Sequence, residues 1–131
     1  MLDTNAVSDL MYDPLGLVAQ RMAVIGTGEI SVSLIVVAEL RFGVAKSGST
    51  RLAAQLDMVL SGLVLKAWDA PADHAYGLIR ADLQKRGTPI GANDLLIAAH
   101  ALALDCILVT DNEREFSRVA GLRIENWLRR D

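Results

Sequence analysis

Five short runs of branched or apolar residues recur along this 131-residue chain, each separated from the next by a stretch long enough for a helix. They are Met1 to Thr4, Ile30 to Ser33, Leu63 to Ala67, Ile107 to Thr110 and Leu122 to Glu125. Such strands pair in parallel only through crossover connections, which are right-handed and usually helical. The pattern therefore predicts an α/β fold, with helices on both faces of a mainly parallel sheet of about five strands, a three-layer α/β/α arrangement. The chain is long enough to bury a core without disulfides or structural metal, so residues 1–131 are expected to form a single domain.

Local punctuation places the helices. Asp13-Pro14 pairs an N-cap with a first-turn proline and opens a helix expected to end before Gly26. Ser33 caps a helix through about Ala45, with Gly48 as its stop. Ser49 caps the next, whose stripe of Leu52, Leu56, Val59 and Leu60 closes at Gly62. Asp73 begins another that Gly87 and Pro89 end, and a last one runs from about Asn93 to Leu104. Gly26-Thr27-Gly28 precedes a strand, where a phosphate-cradling loop would precede a helix, and reads as a plain turn.

Composition excludes several classes. The hydrophobic share is 52% and the mean hydropathy +0.31, yet His100 and Asp105 interrupt the longest apolar stretches. None approaches the roughly 18 residues of a membrane span. MLDTNAVSDL has acids where a signal peptide needs a basic region and then an apolar one. Cys106, the one cysteine, lies in the run CILV and reads as a small buried thiol. A reducing cytoplasm is the expected location. The net charge of −3 creates no overall field that would attract nucleic acid. The local basic residues Lys85, Arg86, Arg114, Arg118, Arg123, Arg129 and Arg130 read by default as a solvated face.

Chemistry has to come from acids that are out of place. Asp13 and Asp73 read as caps, Asp82 pairs with Arg86 one turn on, and Glu113 and Glu115 lie on a polar segment. Four acids resist such readings. Asp3 ends an apolar strand. Glu39 shares a helical stripe with Ile35 and Phe42. Asp94 leads the stripe of Ile97, Ala98 and Ala101 in IGANDLLIAAHA and is read as its N-cap, a role compatible with metal binding. Asp111 follows ILVT at another strand end, where Asp-Asn is also ordinary turn chemistry. In open α/β sheets ligands bind beyond the carboxyl ends of the strands, where Asp3 and Asp111 emerge. Carboxylates converging there repel unless a cation or shared protons compensate, and an all-oxygen set suits a hard ion, Mg²⁺ or Mn²⁺. His74 reads as solvated and His100 as a hydrogen-bonded core residue.

The combination of LDTN, AEL, IGANDLLIAA and LVTDNEREF, with RADLQKRGTPIG before Asp94 and GLRIENW at the end, resembles the PIN-domain nucleases, most closely the bacterial VapC-type toxins. The likeness covers essentially the whole chain. It implies a PIN-like sheet between helical layers and Mg²⁺-dependent hydrolysis of RNA, leaving a 3′-hydroxyl and a 5′-phosphate. By the resemblance, Asp3 and Asp94 bind the ion and Glu39 binds it or its waters. Thr4, Asn5 and Thr110 form the polar surroundings. The family's fourth acid usually lies two residues after the threonine, where this chain has Asn112. Either Asp111 turns into the site, or three acids and the Asn112 amide complete it. Basic residues on the rim, Arg80, Lys85 and Arg86, are expected to contact RNA phosphates.

The resemblance also implies a small antitoxin that blocks the active site, promoter DNA bound only through that antitoxin, and a homodimer. Two other readings stand beside the toxin. One is a degenerate PIN module that binds without cleaving. The other is another Mg²⁺-dependent phosphoryl-transfer domain, although the phosphatase pattern of two aspartates two residues apart is absent near Asp3.

Overall fold

The computed structural model describes residues 1–129; Arg130 and Asp131 lie outside the described residues. The elements run α1 (Thr4–Tyr12), α2 (Leu17–Ile25), a 3-10 turn (Thr27–Glu29), β1 (Ser31–Ser33), α3 (Leu34–Ser47), α4 (Thr50–Ser61) and β2 (Val64–Lys66). They continue with α5 (Ala72–Lys85), α6 (Ala92–Ala103), β3 (Leu108–Val109), α7 (Glu113–Phe116) and β4 (Ile124–Glu125).

All strand pairs are parallel. β1 pairs with β2 and β3 with β4, and Leu2 bridges the two halves by pairing with both Val32 and Val109. The first predicted strand is thus a single residue wide, because Asp3 already caps α1 by accepting the Thr4 amide at 2.8 Å. In space the order is β2, β1, Leu2, β3, β4. The chain moves outward from Leu2 to β2, then returns across the sheet to β3. Right-handed crossovers therefore send α1 to α4 to one face and α5 to α7 to the other. Contacts agree with this, since α1 packs on α2, α3 and α4 while α5 packs along α6. The reversal beside Leu2 is the topological switch point of the sheet, where a crevice opens at the carboxyl ends of the strands.

Leu2, Val32, Val36, Leu56, Ile97, Leu108 and Phe116 form the centre of the core, each with no exposed surface. His100 joins them as expected, at 2% exposure, with its Nδ1 2.8 Å from Ser33 Oγ. Ser33 and Ser49 cap α3 and α4, and Gly48 closes α3 in the left-handed conformation. No helix among the described residues is long and apolar enough to cross a membrane.

Several expectations are corrected. Asp13 does not open α2. It closes α1, its amide donating to the Asp9 carbonyl at 2.7 Å, and α2 starts at Leu17 behind Gly16. At Gly16 an added Cβ would lie 2.5 Å from Asp13 Oδ2, so a larger residue there would displace the exposed Asp13 side chain. Asp73 is the second residue of α5 and not its cap. The β2 strand is an exposed edge of the sheet. Phe42 is 69% exposed because the buried face of α3 is centred on Val36, Val37 and Leu40. Cys106 is half-buried, lining a cleft with Met1, Arg123 and Trp127.

Candidate active site

Asp3 is the best-anchored acid. Only 4% exposed, it accepts hydrogen bonds from Thr110 Oγ1 at 2.8 Å and Asn5 Nδ2 at 3.2 Å through Oδ2, with Oδ1 taken by the Thr4 amide. Burial pushes its carboxyl up from the usual aspartate value, those three bonds pull it back, and nearby Asp111 adds to the rise. Capping and site placement coincide in one side chain.

Glu39 reaches the same region from α3. The residue is half-buried, and its Oε1 is buried with no hydrogen-bond partner. A buried, unsatisfied carboxylate oxygen is costly, so this atom marks a place for a missing positive or donor group. Burial raises the Glu39 carboxyl, and Asp3 raises it further.

Asp94 lies on the first turn of α6, ahead of the buried Ile97, Ala98 and Ala101. The expected N-cap role is corrected, since Gly91 holds that position and no side chain caps the helix. Burial, a shared hydrogen bond and charge repulsion with Glu115, and the charges of Asp3 and Glu39 push Asp94 up to about 7.

Glu115 is the residue that sequence reading missed. Its Oε1 accepts the Gly91 amide at 2.5 Å and its Oε2 accepts Asn112 Nδ2 at 2.8 Å. A Cβ placed on Gly91 would stand 3.5 Å from Glu115 Oε1 and 3.6 Å from Asp94 Oδ2, so both carboxylates wrap one backbone corner. The Gly91 amide chiefly holds Glu115 below its usual value, while Asp94 is pushed the other way. The spacing of Asn112 and Glu115, a capping residue followed three later by a glutamate, is the local signal that was available.

The two alternatives for the fourth position divide between the acids: Asp111 lies near Asp3, and Asn112 bonds to Glu115. Asp111 is exposed and near Asp3, its backbone amide donating to Asn5 Oδ1 at 3.1 Å. Asn112 donates its backbone amide to Thr110 Oγ1 at 3.0 Å and its side chain to Glu115. One polar chain thus runs from Asp3 through Thr110 and Asn112 to Glu115. Among the described residues, no three ligand-type side chains stand close enough to hold an ion as placed.

The basic residues divide. Arg86 donates to Asp82 Oδ2 from Nε at 2.9 Å and from a terminal nitrogen at 2.7 Å, and also reaches the Arg118 carbonyl at 2.5 Å, tying α5 to the end of α7. Lys85 is exposed at the end of α5. Arg80 donates to Tyr76 Oη at 2.8 Å.

The model of the PIN domain family matches residues 1–122. The chain belongs to the PIN-domain family. This PIN domain is 41% identical to ribonuclease VapC2 of Rickettsia felis, over 97% of its own length and 96% of that protein. It is 37% identical to the tRNA(fMet)-specific endonuclease VapC of Shigella flexneri, with 97% and 96% covered. Among solved structures it resembles VapBC2 from Rickettsia felis bound to a DNA fragment from their promoter, at a TM-score of 0.89 and 36% identity over 97% of both chains. PIN-domain ribonucleases are metal-dependent nucleases.

Proposed function

We infer that this chain, as a single PIN domain over residues 1–131, is the endoribonuclease toxin of a toxin–antitoxin pair, hydrolysing RNA phosphodiesters in the cytoplasm with Mg²⁺, or Mn²⁺ in its place. What supports this reading is that the charge of Asp3 raises the Glu39 carboxyl and the charges of Asp3 and Glu39 raise that of Asp94, in a chain like the VapC ribonucleases along nearly its whole length.

The donor set fits a hard cation: all ligands are carboxylate oxygens, and Glu39 Oε1 is buried without a partner. Asp3, Asp94 and Glu39 would hold the ion or its waters, with Glu115 as the fourth acid and Asp111 at the periphery. A cation would gather these acids rather than enter a finished cage. Once bound, it supplies Lewis-acid activation of water and offsets charge on the phosphodiester. The chain's own residues prepare the ground. Thr110, Asn5 and the Thr4 amide hold the Asp3 carboxylate in place and favour its charged form against the burial that raises it. Asn112 and Gly91 keep Glu115 ionised, and the proton held at Asp94 leaves when the site is charged. Arg80 and Lys85 would contact flanking phosphates, while Arg86 secures α5.

The partner on this reading is a small antitoxin that covers the acid site, and promoter DNA is reached through it; the similar VapBC2 from Rickettsia felis is itself bound to a DNA fragment from their promoter. A homodimer accounts for Tyr12 and Phe42, each 69% exposed, and Met58 at 77%. The test is cleavage of a mixture of structured RNAs with Mg²⁺ or with EDTA by wild type and Asp94→Asn. Cutting by wild type with metal alone is expected. Equal cutting by the variant would overturn the reading.

A further inference from the structure

We propose that the cleft between α5 and α6 is a subsite for one unpaired RNA base next to the scissile phosphodiester. The cleft encloses about 190 Å³. Drug-sized ligands occupy pockets of roughly 300–1,000 Å³, so this one takes a single ring system. Its floor is apolar, built on the buried Leu83 and Leu95 with Ile90, and its rim carries Tyr76, Arg80 and Gln84.

That division of chemistry selects a base over a phosphate. A phosphate pressed onto leucines would lose hydration without replacement, whereas a base has an apolar face and a polar edge. Proteins read unpaired RNA by stacking bases on aromatic rings or guanidinium planes and by hydrogen-bonding their edges. Arg80 is held at the rim by Tyr76 Oη, its Cζ 5.8 Å from the Tyr76 ring centroid, and Trp68 backs that ring edge-on at 6.3 Å. Among the described residues Arg80 is in no ion pair, whereas Arg21, Arg41, Arg86, Arg123 and Arg129 each pair with an acid. Its charge remains available in a chain of net charge −3. The exposed Gln84 amide offers a donor and an acceptor to a base edge.

Position links the cleft to the chemistry. Ala92 and Leu95 line it and flank Asp94 on the first turn of α6. A helix is about 10 Å across, so the cleft and the acids occupy two flanks of one helix start, within reach of neighbouring nucleotides.

This inference rests on the ribonuclease reading, and the test lets the two fail separately. An RNA pool randomised around the cut point is cleaved by wild type, Gln84→Leu and Arg80→Ala, and the new ends are sequenced. Gln84→Leu should weaken the base preference at one position beside the cut by about five-fold or more, leaving other positions alone. Lys85→Ala should instead slow all sequences alike. An active wild type whose preferences survive both cleft variants overturns the subsite and leaves the nuclease standing. In parallel, the four nucleoside 5′-monophosphates are titrated at millimolar concentration against the intact protein while the methyl resonances of Leu83 and Leu95 are followed. At least one nucleotide should shift them, and less so in Gln84→Leu. No shift with any nucleotide, or a shift with the antitoxin alone, overturns the proposal whether or not RNA is cut. Methyl shifts in a protein that cuts no RNA would leave a nucleotide-binding cleft and overturn its assignment beside a scissile phosphodiester.

Discussion

Glu115 accepts the backbone N–H of Gly91 through Oε1 at 2.5 Å, joining α7 to the start of α6 across 24 residues of sequence. The same carboxylate lies against Asp94, so one side chain both fixes the helix start and loads the acid cluster. Glu115→Gln keeps an acceptor for Gly91 and removes the charge. Its stability should stay within about 0.5 kcal/mol of wild type, while cation affinity falls about 10- to 100-fold. Glu115→Ala loses the anchor as well and should cost about 1–2 kcal/mol. Calorimetric titration with Mn²⁺ and thermal melts separate these effects. Undiminished Mn²⁺ binding by the Gln variant would remove Glu115 from the site.

The pH dependence has a definite sign. Asp94 is pushed up to about 7, burial first, then Glu115, from an ordinary value of 3.8. Because its folded value lies above the unfolded one, the folded state holds the extra proton in between. The stability this contributes is complete below about pH 4 and is lost as pH rises through about 7. In EDTA the Tm of wild type should therefore fall over that window more steeply than that of Asp94→Asn. Cation affinity should rise over the same window, with about one proton released on binding. Parallel melting curves for the two proteins would contradict this account of Asp94.

Function here opposes stability. Asp94→Asn removes one of several mutually repelling acids from a partly buried site, so the variant should be more stable than wild type without cation, by about 1 kcal/mol. Its RNA cleavage should fall below detection. Urea unfolding together with the RNA assay reads both quantities. A variant that is inactive because it is unfolded would break the argument.

The acids on core-facing stripes were legible because period and burial speak locally: Ile97, Ala98 and Ala101 have no exposed surface, as their spacing with Asp94 predicts. Ser33 and Ser49 were legible as caps for the same reason. Glu115 was not, since DNEREF reads as solvated surface: the Asn112–Glu115 spacing signals at most a helix start, and the contact with Gly91 lies 24 residues away. The start of α2 was hidden too. Asp13-Pro14 satisfies every local rule for a helix start, but the Asp13 amide is already committed to the last turn of α1. Phe42 shows the converse error, an apolar residue at the right spacing on a helix whose buried face lies to one side.

Lys85 and Arg86 are adjacent in sequence and should behave differently. Lys85 is exposed at the end of α5 with the RNA rim beside it, so Lys85→Glu should leave Tm unchanged and weaken RNA binding, lowering the salt slope by about one. Arg86 is spent on Asp82 and the Arg118 carbonyl. Arg86→Glu places a carboxylate against both and should destabilise the fold by about 1 kcal/mol or more. Its RNA affinity should change mainly through the displaced end of α5. Filter binding of RNA across a salt series, paired with melts of the same variants, distinguishes the two. A steep loss of RNA binding in Arg86→Glu at unchanged Tm would make Arg86 a phosphate contact instead of a brace.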